Sequence, residues 1–240
     1  MSTASVDPTN IFANIERMFS TLDNKLEKDV KEHLKNVYST LTMSLIAAMI
    51  GVAANSVLGL YNWSFLFAIA QFGLILTLTF TPSSRENENK RLAYLLGFAF
   101  LVGCNTGPLV ELVGAHDPAI VLNAYLITLI VFGSFTLSAL YADSTKFLHL
   151  GGILTSALLC LLITSIFARS QFMFSVIIWG GLAIECAFVL YDTQLIAERK
   201  RRGDSDYIWH TVILFIDFVN IFRYILIILK EKSDNDRRRR

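Results

Sequence analysis

Seven apolar stretches, each about as long as a helix that crosses a bilayer, constrain this chain more than any other feature. Their approximate limits are 37–61, 63–80, 92–112, 120–141, 147–168, 172–196 and 207–229. A hydrocarbon core about 30 Å thick takes about 20 apolar residues in helical form. Backbone in lipid must also satisfy its own hydrogen bonds, which favours helices. Composition agrees. Of 240 residues, 54% are hydrophobic and 17% charged, against roughly 45–50% apolar in soluble domains. The expected fold is an all-α integral membrane protein, a bundle of seven transmembrane helices. Its short connections make sequence neighbours antiparallel.

Three regions follow from this layout: an arm over 1–36, a membrane domain over 37–229 and a basic tail over 230–240. The arm carries Ile11, Phe12, Ile15, Met18, Phe19 and Leu26 among alternating charges, the pattern of an amphipathic helix. It reads as a helix lying on the membrane surface, with a partner-binding arm as the alternative. It lacks the short apolar core of a secretory signal, so the first span is expected to serve as the insertion signal. The net charge of +1 and the scattered basic blocks give no footprint for nucleic acid. Cys104, Cys160 and Cys186 all lie inside apolar runs without metal-ligand spacing, and read as structural thiols.

Lysine and arginine in the loops set the orientation. Lys25, Lys28, Lys31 and Lys35, then Arg85, Lys90 and Arg91, then Lys146, then Arg199 to Arg202 all fall on one face. The opposite loops hold only Arg169. The N-terminus is therefore expected in the cytosol. The tail, with Lys230, Lys232 and Arg237 to Arg240, breaks the rule if seven full crossings precede it. The seventh stretch is also the most polar, with His210, Asp217, Asn220 and Arg223. Either it enters and returns, or it is a central helix shielded from lipid by the other six. Packing favours the central helix, and the side of the tail stays open. Glycine pairs at Gly151–Gly152 and Gly180–Gly181 allow close helix approach, and Gly107-Pro108 should loosen or kink the third helix.

Ionisable groups inside a span cost roughly 2.5–3.5 kcal/mol each, even on lenient scales. They persist when paired or hydrated. Glu185 and Asp192 lie seven residues apart on the sixth stretch, hence on one helix face. His210 and Asp217 have the same spacing on the seventh. A loop joins these stretches, so Asp192 and Asp217 can meet. Two carboxyls in a low-dielectric site tend to share one proton. Its loss would push the helices apart and leave oxygen ligands that suit calcium transiently. The alternative is separate neutralisation, by Arg223 or by a loop lysine.

Seven segments follow one another in order: Lys90-Arg91-Leu92, Gly97 to Leu101, Gly107-Pro108, Phe135 to Ala142, Leu150 to Leu154, Phe188 to Ile196, and Gly203-Asp204 with Asp206 to His210. Together they resemble the Bax inhibitor-1 family, also called the transmembrane Bax inhibitor motif family. The resemblance runs from about His33 to Lys230. It implies a seven-helix bundle with a central last helix, in the endoplasmic reticulum membrane. It further implies a pH-sensitive calcium leak that lowers the luminal store and suppresses cell death. Asp192 and Asp217 match the family's proton-sharing pair, and Arg85 is the nearest match to a basic residue that locks the closed state. Calcium and protons are then permeant or gating ions, and no bound cofactor is implied. Ile127 and Leu129 stand where the family usually has small residues, and Glu185 matches no family pattern.

Two other classes compete with the leak. An adaptor would act on cell-death regulators of the Bcl-2 class through the arm or the tail. A di-aspartyl intramembrane protease would use Tyr191-Asp192 and Asp217. It is disfavoured because Phe215-Ile216 precedes Asp217 and no Pro-Ala-Leu element follows. No enzyme activity is expected.

Overall fold

A computed structural model describes residues 26–142, 146–167 and 170–238. Among these residues all regular structure is helical. Seven long helices, α1 Lys28–Leu58, α2 Ser64–Phe80, α3 Glu88–Gly114, α4 Pro118–Tyr141, α5 Gly151–Phe167, α6 Gln171–Arg201 and α7 Tyr207–Arg238, are separated by short turns. Each is long and apolar enough to cross a membrane once the adjoining 3₁₀ turns are counted. The chain is a seven-span membrane bundle.

Local signals set the helix ends. The Asp117 carboxylate accepts from the Ala119 N–H at 2.9 Å, and Pro118 opens α4, where a missing N–H costs nothing. The Ser170 hydroxyl accepts from the Met173 N–H at the start of α6. Gly59 ends α1 with φ of 63°, a left-handed turn that glycine takes without strain.

Helix α7 is the central element. It packs against α1, α3, α4 and α6, and Leu214, Phe215, Ile221 and Leu226 are fully buried there. Its 32 residues form one continuous helix, about 48 Å long at 1.5 Å per residue, so it crosses without returning. The α2 helix lies against α3, and α5 against α6. Each has a single buried residue, Leu78 and Leu154, because their remaining faces are left to lipid.

Helix α1 begins at Lys28, not near 37. The stretch 28–36, expected in the arm, is the first turns of the first spanning helix. The part of the amphipathic pattern that precedes residue 26 lies outside the described residues, as does Arg169. Helix α6 likewise runs past 196 to Arg201, since a helix need not stop where the apolar run does. Helix α3 passes through Pro108 without a break. The glycine beside it has a packing reason: a Cβ on Gly107 would stand 2.7 Å from the Asn55 Nδ2 on α1. The α1–α3 seam is tighter still. A Cβ on Gly51 would come 2.0 Å from the Phe100 carbonyl oxygen, and one on Gly103 2.0 Å from that of Ala48. Gly151 accommodates the Tyr191 ring and Gly181 the Tyr224 ring. Cys104 and Cys186 are buried, Cys160 is exposed, and none is paired.

Candidate functional site

The seam between α6 and α7 carries the acids. Asp192 and Asp217 are 7% and 6% exposed, and their carboxyl groups face each other across the seam. The arrangement follows from the hairpin: α6 and α7 run antiparallel, and each aspartate falls on the face turned to its neighbour. Gln194 fixes the height of α6. Its amide oxygen accepts from the Phe147 N–H at 2.7 Å, and its nitrogen donates to the Ala139 carbonyl at 3.1 Å.

Around the pair, the hydroxyl of Tyr38 on α1 lies among those of Thr136 on α4 and Thr193 on α6. These three oxygens and the Asp217 Oδ2 are buried without a partner in good hydrogen-bonding geometry. An orphaned buried polar atom costs about 1–3 kcal/mol. Such a cluster suits a polar guest better than an empty apolar seam.

Two turns along α6, the Glu185 Oε1 accepts from the Asn220 Nδ2 at 3.0 Å, and Glu185 is 5% exposed. Sequence spacing placed Glu185 and Asp192 on one face, and both do face α7. Arg223 behaves otherwise. Its Nε and Nη2 donate to the Thr106 hydroxyl on α3 at 3.1 and 2.6 Å. The expected alternative, in which Arg223 neutralises an aspartate, is not the arrangement found. From the pair outward, the polar groups therefore run Asp192/Asp217, Glu185/Asn220, then Arg223/Thr106. Among the described residues no group of three or more His, Cys, Asp or Glu is placed to hold a metal ion.

A second polar cluster closes the end of the bundle where α1 and α7 begin. The His33 Nε2 and His210 Nδ1 are 2.8 Å apart, with both rings buried. The Asp204 carboxylate stands 3.5 Å from the other nitrogen of His210. Arg91 on α3, 4% exposed, donates from both terminal nitrogens to the two Asp206 oxygens at 2.8 and 2.5 Å. The Tyr207 hydroxyl donates to Glu88 at 2.6 Å. Arg85 is exposed on the rim of a hollow it shares with Arg91 and Asp206, while the aspartate pair is inside the bundle. Sequence reading named His210 and Arg85 but missed His33, Arg91, Asp206, Tyr38 and Thr106. For Arg91 and Asp206 a signal existed, since both lie in family-like segments.

A polytopic helical bundle with carboxyls buried on its two central antiparallel helices is the class these features define. A family profile described as inhibitor of apoptosis-promoting Bax1 matches residues 30–234. Bax inhibitor 1 of Bos taurus is 39% identical over 237 residues, covering 96% of this chain and all of that protein. Bax inhibitor 1 of Homo sapiens is 43% identical over 202 residues, with 83% of this chain and 85% of the relative covered. That of Drosophila melanogaster is 35% identical over 223 residues, covering 90% and 91%. The chain belongs to the Bax inhibitor-1 family.

Proposed function

We propose that this chain is a pH-gated calcium leak of the endoplasmic reticulum membrane, with a cytosolic N-terminus, that restrains cell death by lowering the luminal store. The carboxyl contact between Asp192 and Asp217 carries the reading. Ionised carboxylates only accept hydrogen bonds, so the contact holds while the two share a proton. When it leaves, like charges face each other in a medium that screens them poorly. Helices α6 and α7 then separate. The freed carboxylates and the hydroxyls of Tyr38, Thr136 and Thr193 offer the oxygen ligands that calcium prefers. Calcium here is cargo passing through. Glu185 and Asn220 are the next polar station, and no catalytic step is involved. The cell-death role is supported by the name of the relatives, Bax inhibitor 1.

Purified protein in liposomes should pass calcium, with flux that changes between about pH 5 and 8. Asp217→Asn should flatten that dependence. If the wild type passes no calcium at any pH, the leak reading fails. The adaptor reading, in which the chain acts by contact with Bcl-2-class regulators, would then gain, since the relatives' name points to Bax itself.

A further inference from the structure

A cavity of about 630 Å³ opens on the side of the bundle, between α1, α3, α4 and α7. That size lies within the roughly 300–1,000 Å³ of small-molecule sites. Its walls are hydrocarbon and aromatic: Leu45, Val102, Val110, Val121, Phe218 and Phe222. Met49 and Leu122, on its rim, are 50% and 59% exposed. Both stand within spanning helices, so the medium at the mouth is lipid hydrocarbon, and what enters sideways is an acyl chain.

The end of the cavity near the α3–α4 turn is different. Glu111 is its one charged lining residue and is exposed. The Tyr61 hydroxyl donates to the Glu111 Oε2. At the same turn Arg237 donates to the His116 carbonyl at 3.2 Å. Arg237 and Lys232 line a polar hollow with Asp117, Asn123 and Asp236. Glu111 and a hollow of mixed charge, with Lys232 and Arg237 beside Asp117 and Asp236, therefore flank one end of an apolar slot.

We infer that this slot binds phosphatidylethanolamine, one acyl chain filling the cavity, the ammonium on Glu111 and the phosphate toward Lys232 and Arg237. The head must carry both signs to meet both groups. Its cation must also donate hydrogen bonds, because a carboxylate only accepts. An ethanolamine ammonium does this. A choline head has no N–H, a glycerol head has no cation, and a serine head adds a second anion that Glu111, Asp117 and Asp236 would repel. The site is separate from the aspartate seam and does not depend on the leak.

The test uses the full chain in nanodiscs of phosphatidylcholine doped with a phosphatidylethanolamine that carries a photoreactive group on its acyl chain. Adducts are mapped by mass spectrometry. Labelling is expected to concentrate on the cavity walls, at 110–125 and 218–222, and to fall when unlabelled phosphatidylethanolamine is added. Glu111→Gln should lower the preference over a phosphatidylcholine probe by about fivefold, as loss of a charge-assisted contact at an exposed site would. Val121→Trp, which fills the slot, should remove cavity labelling while labelling on α2 persists, which also reports that the variant is folded. Equal labelling by both probes in the wild type, or adducts spread over all lipid-facing helices, would reduce the cavity to ordinary boundary lipid and overturn the proposal.

Discussion

The Nε2 of His33 and the Nδ1 of His210, 177 residues apart in sequence, lie 2.8 Å from one another and join the first turns of α1 and α7. An imidazole pair forms a hydrogen bond only when one ring donates and the other accepts. Two protonated rings would bring two cations together.

The first prediction follows from that constraint. The unfolded chain can protonate both rings below about pH 6.5, while the folded contact accommodates one proton between them. Stability at this end should therefore be full at neutral pH and fall as pH drops, because the unfolded state then binds more protons. Asp204 and Asp206 offset part of the added charge, whereas Arg199 and Lys200 oppose it. Protection factors of the amides of residues 28–40, referred to the intrinsic exchange rate at each pH, should fall between pH 7 and 5 in the wild type. In His33→Asn the protection should be lower at pH 7 and less dependent on pH.

Asp206→Asn should destabilise the bundle by about 3 kcal/mol, the low end for breaking a buried pair, because the side chain of Asp206 is 19% exposed and that of Arg91 5%. Thermal unfolding in detergent checks this. Changing Arg91→Met in the same chain should recover part of the loss, since the buried charge left unpaired is then gone.

Glu185→Gln keeps a hydrogen-bonding partner for Asn220 but removes a charge two turns from Asp192. In the liposome assay it should slow calcium flux while leaving the response to pH in place. Asp217→Asn should remove the response itself. Glu185→Ala should in addition cost about 1–3 kcal/mol, because the Asn220 amide loses its acceptor.

Gly103→Ala should destabilise by about 3 kcal/mol or more, the upper range for overpacking, since its Cβ would fall 2.0 Å from a backbone carbonyl oxygen. Gly133→Ala is the matched control. A Cβ there meets nothing within 4 Å, and a helical Gly→Ala change should stabilise by about 0.5–1 kcal/mol. Thermal unfolding of both variants should move in opposite directions.

Much of the architecture was written locally. Runs of apolar residues mark seven spans, and the polar residues of the seventh mark it as the helix the others enclose. Asp192 and Asp217 were legible as neighbours because a short loop joins their helices, and the seven-residue spacing put Glu185 on the same face. The rest depends on which helices end up side by side. His33 meets His210, and Arg91 meets Asp206, only because α1 and α3 flank α7, which no local pattern encodes. Arg223 illustrates the same limit. Charge alone suggested an aspartate as its partner, but the rotation of α7 turns it to Thr106 on α3. Helix ends were misjudged at Lys28 and Arg201 because apolar runs report membrane depth, and a helix continues past that depth while its backbone bonds remain available.

The glycine contacts at Gly51 and Gly103 have a mechanical consequence. Carbonyl groups of one helix occupy the space a side chain would need on the other, so α1 and α3 cannot slide or rotate against each other without a backbone collision. They form a stator. Whatever work the carboxyl pair does must be expressed as displacement of α6 or α7 against that fixed frame. Spin labels on α1 and α3 should therefore report constant spacing under conditions where labels on α6 and α7 move.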